Sequence, residues 1–246
     1  MPLQLRHATE ADVPAIGRIG HDAFRGALSD RFFPPHLRRA EDPEGLVDGP
    51  QWRAARTLHR MKQGIPTLVV VDVSEDGTQE TVVGYTQWEP PHGYDVDEAK
   101  LEAERAAIDA MDQKPPSSLD QAALDELVSG IDKACEKALG KDAHKDMWCK
   151  CTRSPFGSKS RFELTVMIED VLILAVDPSH HRRGVGKMLL QWGLDQARSK
   201  GQDVFLAATE VGKFLYTSAG FKDLEDTYEV IGLKHTTMVW EAPKAN

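Results

Sequence analysis

The segment from Asp170 to Leu190 constrains this chain more than any other. An apolar strand, Asp170-Val-Leu-Ile-Leu-Ala-Val176, leads through a short turn, Asp177-Pro-Ser-His-His181, into the cluster Arg182-Arg183-Gly184-Val185-Gly186-Lys187, which opens a helix. The first turn of a helix leaves backbone N–H groups unsatisfied at the positive end of its dipole, so it can receive an anion. Gly184 and Gly186 let the backbone approach that anion closely, and Arg182, Arg183 and Lys187 add positive charge. A pyrophosphate would fit such a turn. A P-loop would require glycine at 181 and Ser or Thr at 188, where the chain has His181 and Met188. A dinucleotide fingerprint begun at Gly184 would require a third glycine at 189, and that residue is Leu189.

The rest of the chain must supply a core for this turn. With 246 residues, 41% of them hydrophobic, it can build one domain with an insertion. A formal net charge of -9 argues against a general nucleic-acid binder, since phosphate backbones need a concentrated basic surface. Met1 to Arg6 has neither the basic start nor the apolar run of a secretory signal, and no stretch approaches the ~18 apolar residues of a membrane span. A cytoplasmic protein with no membrane partner is expected, as a monomer or homodimer. The three cysteines, Cys135, Cys149 and Cys151, are read as reduced thiols. Cys149 and Cys151 beside His144 fall short of a four-ligand zinc set, so no metal is expected.

Periodicity orders the elements. Leu3 to Arg6 alternates as a strand, and Thr9 followed by Asp12 starts a helix in which Val13, Ile16, Ile19, Ala23 and Phe24 recur at helical spacing. Residues 29–49 read as a loop or broken helix around Pro34-Pro35. Gln51 to Gly64 reads as a helix, Thr67 to Val73 as a strand, Asp76-Gly77 as a hairpin turn, and Thr81 to Trp88 as the returning strand. The insertion spans 92–160, with helical stretches at Asp97 to Gln113 and Ser118 to Leu139. Phe162 to Ile168 and Asp170 to Val176 read as strands. They are followed by a helix from Gly184 to Lys200, a strand from Asp203 to Ala207, a helix from Lys213 to Ala219 and strand material from Tyr228 to Trp240. This alternation is an α/β signature.

The run Leu174-Ala-Val-Asp-Pro-Ser-His-His-Arg-Arg-Gly-Val-Gly-Lys-Met-Leu-Leu190 resembles motif A of the GNAT superfamily of N-acetyltransferases, with His181 where the family usually carries Gln or Arg. Leu206-Ala-Ala-Thr-Glu-Val-Gly-Lys-Phe-Leu-Tyr216-Thr-Ser-Ala-Gly220-Phe221 resembles the family's motif B, and Leu5 to Phe24 resembles its first strand and helix. The resemblance implies a mixed central sheet flanked by helices, forming one domain over 1–246 with the helical insertion between the third and fourth core strands. It also implies acetyl-CoA as acyl donor. Its pantetheine and acyl group would lie on backbone groups of Leu174, Ala175 and Val176. Its pyrophosphate would lie on the turn His181, Arg182, Arg183, Gly184, Val185, Gly186 and Lys187, with Thr209 also at the cofactor. Tyr216 matches the family's general acid. Asp170 is the first candidate for general base, with Glu169 on the opposite strand face and Glu89 and His92 in reserve.

Three functions compete at this stage. A small-molecule amine N-acetyltransferase leads, since an acidic chain with a long insertion suits cationic amines. A protein or peptide N-acetyltransferase would need an open groove instead of a capped pocket. A non-catalytic acyl-CoA-binding protein would keep the fold without turnover, and the pairing of Tyr216 with Asp170 argues for the enzyme.

Overall fold

The computed structural model describes residues 2–88, 115–140, 148–150, 173–225 and 227–243. They group into two compact units. The first holds described residues within 1–87, 93–120 and 173–191, and the second holds Trp88 and those within 121–172 and 192–246. The expected helix Asp97 to Gln113 and strand Phe162 to Ile168 lie outside the described residues.

In the first unit, β1 (Leu3–His7), β2 (Thr67–Val73), β3 (Glu80–Gln87) and β5 (Leu174–Val176) form a four-stranded antiparallel sheet in that order. The hairpin at Gly77, with φ of +70°, joins β2 to β3 as its Asp-Gly signal predicts. All seven residues of β2 are buried. Helix α1 (Val13–Ala23) lays Ile16 and Ile19 on this sheet, where they pack with Val69, Val71, Tyr85 and Ala175. Its approach is fixed by Arg6, which grips both oxygens of Asp12 at 2.8 and 2.9 Å while the Thr9 amide donates to Asp12 at 2.7 Å. The region read as a broken helix holds one short helix, α2 (Leu28–Phe32), and a single turn at Pro35–Leu37. Helix α3 (Asp48–Lys62) begins before the expected Gln51, because Pro50 falls in its first turn, where proline loses no hydrogen bond.

In the second unit, β6 (Val204–Thr209) pairs antiparallel with β9 (Leu233–Trp240), which also carries β7 (Lys222–Asp223) and β8 (Tyr228–Val230). The second insertion helix appears as α4 (Gln121–Leu139). The insertion also supplies β4 (Trp148–Lys150), which the sequence reading missed, parallel to the first half of β6. Helix α5 (Val185–Ser199) begins among the residues of the first unit and ends among those of the second. Helix α6 (Glu210–Ser218) begins three residues before the expected Lys213, because the Thr209 hydroxyl caps it by accepting the Gly212 amide at 3.3 Å.

Candidate acyl-donor site

Local backbone chemistry builds the turn between β5 and α5. A bulge in β3 leaves Val83 outside the register with β2, and its carbonyl accepts the Asp177 amide at 2.9 Å. Asp177 then folds the turn on itself, accepting the Ser179 amide at 3.0 Å and hydroxyl at 2.6 Å while Arg18 of α1 reaches its other oxygen at 3.0 Å. Burial pushes the Asp177 carboxyl up, but the Ser179 and Arg18 hydrogen bonds outweigh it and hold the pKa at about 2. Gly84 lets α5 sit close on β3, since a Cβ there would stand 2.6 Å from Val185 and 3.3 Å from Leu189.

Past Asp177 the chain enters the left-handed region twice, at Arg182 with φ of +60° and at Gly184 with φ of +87°. The first is uncommon for a residue with a side chain, and such turns gather backbone N–H groups into an anion-binding concavity. His181, Arg182, Arg183, Gly184 and Lys187 are exposed, Gly186 is half-buried, and Val185 is buried against the sheet. The positive end of α5 therefore faces outward under cationic side chains. Arg183 is engaged within the protein, its Nη1 donating to Asp72 of β2 at 2.6 Å. The His181 imidazole donates to the Val176 carbonyl at 3.3 Å.

The strand before the turn presents only part of its backbone. The Gln87 amide donates to Ile173 and the Asp177 amide to Val83, so 173 and 177 face β3. By the alternation of an antiparallel ladder, Ala175 also faces β3, opposite Tyr85, and the N–H and C=O of Leu174 and Val176 point to the other edge. Among the described residues β5 pairs with β3 alone. With His181 on the Val176 carbonyl, the N–H groups of Leu174 and Val176 are the donors this edge offers, and that of Val176 lies nearer the turn.

In the second unit, motif B is a helix with a left-handed cap. Gly220 takes φ of +95°, and the Ala219 and Phe221 amides donate to the Tyr216 carbonyl at 3.0 and 3.1 Å. Phe221 folds back edge-on to the buried Tyr216, ring centroids 5.6 Å apart. Thr209 is the N-cap of the same helix. A polar recess of about 330 Å³ lies between this helix and β8 and β9, and its acidic Glu210 and Glu229 balance Lys213 and Lys234. Asp170 and Glu169, as well as Glu89, His92 and Cys151, lie outside the described residues, and of Cys149 only the backbone is described.

Asp72, Arg18 and Asp177 were missed by sequence reasoning. For Asp177 a signal existed, since Asp-Pro-Ser favours a side-chain-capped turn. For Asp72 the signal was a lone acid within the apolar run Leu-Val-Val-Val-Asp-Val.

Residues 167–242 match the family model described as acetyltransferase (GNAT) domain. The match spans 76 of the 246 residues, so it is this segment that resembles a GNAT acetyltransferase domain. No curated protein matches the sequence. Similar solved structures include YncA, a putative acetyltransferase from Salmonella typhimurium with its cofactor acetyl-CoA, at 17% identity and a TM-score of 0.50, covering 99% of this chain and 95% of that one. An N-acetyltransferase from Staphylococcus aureus Mu50 matches at 14% identity and a TM-score of 0.50, covering 98% and 99%. At these identities the two structures support the GNAT fold alone. The matched segment begins just before β5 and runs through β9, so it contains both motifs. No helix among the described residues is long and apolar enough to cross a membrane.

Proposed function

We propose that this chain is a GNAT acetyltransferase that transfers an acetyl group from acetyl-CoA to a primary amine of a small molecule by direct attack in a ternary complex. The observation that carries this reading is the turn at the start of α5, where two left-handed residues and exposed Arg182 and Lys187 prepare an anion site beside the outward-facing N–H of Val176. The turn from His181 to Lys187 holds the donor's pyrophosphate, with Arg182 and Lys187 as its free cations. The β5 edge at Leu174 and Val176 receives the pantetheine arm, Ala175 between them holds that edge in place by packing its side chain in the core, and Thr209 is a further donor-binding residue of this reading.

In the reaction the amine nitrogen forms a bond to the thioester carbonyl carbon and the carbon–sulfur bond breaks. The amine loses one proton and the departing thiolate gains one. The Val176 N–H stabilises the oxyanion that develops on the carbonyl. Tyr216 is the acid for the thiolate, since a phenol with pKa near ~10 can supply that proton. Asp170, or Glu169 beside it, takes the proton from the amine.

The test is the thermal midpoint with and without acetyl-CoA, followed by turnover on a panel of small amines and of peptides with free N-termini. A ligand at ~100 times its dissociation constant that binds only the native state adds about 2.7 kcal/mol of stability. An upward shift that is lost in Gly186→Leu, with turnover on amines and none on peptides, is expected. No shift at saturating acetyl-CoA would overturn the donor reading, and turnover confined to peptides would overturn the acceptor reading.

A further inference from the structure

Asp72 is a buried carboxylate in a strand whose other six residues are Thr, Leu and Val, and it does not satisfy itself there. Among the described residues its Oδ1 is buried without a hydrogen-bond partner, while its Oδ2 accepts from Arg183 at 2.6 Å and lies 3.6 Å from His180 Nε2. Both groups belong to the turn that precedes α5. His180 is held from behind by the Ser179 hydroxyl at 2.8 Å and by Asp177 Oδ1 at 3.8 Å, and Asp177 is tied to Arg18. Arg183 lies between the two left-handed residues, Arg182 and Gly184. A non-glycine residue in that region persists only where its surroundings over-determine it. The Asp72–Arg183 bond is the described side-chain contact that fixes the strained stretch itself.

We propose that Asp72 is a positioning residue for the acyl donor. By holding Arg183 it keeps the N–H groups of 182–187 aimed at the donor's phosphates, and Arg183 serves as the pin and not as a phosphate ligand. The proposal rests on the reading of this turn as the donor-phosphate site.

Two readings of Arg183 give opposite signs, and this makes the proposal testable. If Arg183 served the phosphate directly, Asp72 would compete for it and would also repel the anion, so Asp72→Asn would tighten acetyl-CoA binding. If Arg183 is a pin, Asp72→Asn releases the strained turn and lowers the fraction of molecules competent to bind. Titration calorimetry with acetyl-CoA is expected to show a dissociation constant about tenfold higher for Asp72→Asn, which is about 1.4 kcal/mol. Arg183→Ala should be weakened equally, and the double variant should be no weaker than either single one. In steady state the KM for acetyl-CoA should rise in both variants while kcat stays close to wild type.

Unchanged or tighter binding by Asp72→Asn would overturn the proposal and leave the donor site standing. Absence of binding by the wild-type protein would remove the donor site and the proposal with it. Should Asp72→Asn fail to fold, Arg183→Ala decides, because Arg183 is exposed. Hydrogen exchange at 180–187 in the ligand-free protein must then quicken, and unchanged exchange overturns the pin.

Discussion

The indole of Trp88 occupies the space that a side chain at Gly193 would need: a Cβ at 193 would stand 2.2 Å from two of its ring atoms. Trp88 is fully buried, so the ring has no open side to move into. Alanine in mid-helix would gain about 1 kcal/mol of helix propensity over glycine. Overpacking a closed core typically costs about 1–3 kcal/mol, and here the clash is with a rigid ring, so the loss wins. Gly193→Ala is expected to lower the urea midpoint of unfolding, and a midpoint at or above wild type would refute the close fit.

Arg53 and Arg60 lie seven residues, about two turns, apart on one face of α3, and both are buried, yet their replacement should have opposite results. Among the described residues Arg53 meets no carboxylate. Its Nη2 donates to Ser29 at 3.3 Å, its Nε has no partner, and burial holds its pKa below the usual guanidinium value. What offsets that cost is stacking over Phe24 and Trp52, at 5.6 and 5.9 Å. Replacing a poorly compensated buried charge by an apolar residue of similar volume is often neutral or stabilising. Arg53→Met should therefore unfold within about 1 kcal/mol of wild type or above it. Arg60 donates to the buried Gln87 amide oxygen at 2.9 Å, and Arg60→Met would leave that oxygen unpaired, at a cost of about 1–3 kcal/mol. Denaturant titration of the two variants checks both signs.

The parts of this fold that were legible in the sequence are those whose cause is local. The turn from Asp177 to Lys187 announces itself through glycine, proline and charge within eleven residues, and the hairpin at Gly77 through a dipeptide. Strand β4 was not legible, because three residues carry no period and its formation depends on pairing with β6, more than fifty residues later. The same holds for Asp72 and Arg183, which are 111 positions apart. Breakers were over-read at Gly49-Pro50, where the structure begins a helix, and the cap at Thr209 was under-read. Of the candidate site, the donor half was legible through the turn and strand, whereas that Leu174 and Val176, and not Ala175, turn their backbone outward depended on the register with β3.

Acid should unfold the protein in two stages. His21 and His235 are buried, and burial pushes both imidazole pKa values down. A group whose folded pKa is depressed stabilises the protein above its unfolded value and loses that contribution as pH falls. The histidine contribution is therefore complete above about pH 6.5 and declines below it. Asp177, at about 2 in the folded protein against 3.8 unfolded, gives a second loss between pH 4 and 2, on the order of 2 kcal/mol. Urea midpoints measured from pH 8 to 2.5 should fall in both windows. Asp12, Asp42, Asp48, Asp72 and Asp76 are also held below the ordinary carboxylate range by their hydrogen bonds. Asp177→Asn should therefore make the fall in the lower window shallower without abolishing it and leave the upper one unchanged, and a variant profile parallel to wild type would contradict the assignment.

Tyr216 has two jobs to separate, since it is both packed in a core and proposed as the acid of acetyl transfer. Its ring meets Phe221 edge-on, and its carbonyl accepts the two amides of the helix cap. Tyr216→Phe keeps the ring and the backbone and removes only the hydroxyl, so the packing role predicts a loss of stability no larger than one hydrogen bond, about 1 kcal/mol. The acid role predicts a fall in kcat of about 10²-fold or more, since a positioned proton donor contributes that much, with binding of acetyl-CoA unchanged. It also predicts that the alkaline limb of the pH–rate profile, which reports loss of the phenolic proton, disappears in the variant. If kcat falls only in proportion to the folded fraction, Tyr216 is a packing residue and the thiolate leaves without its help.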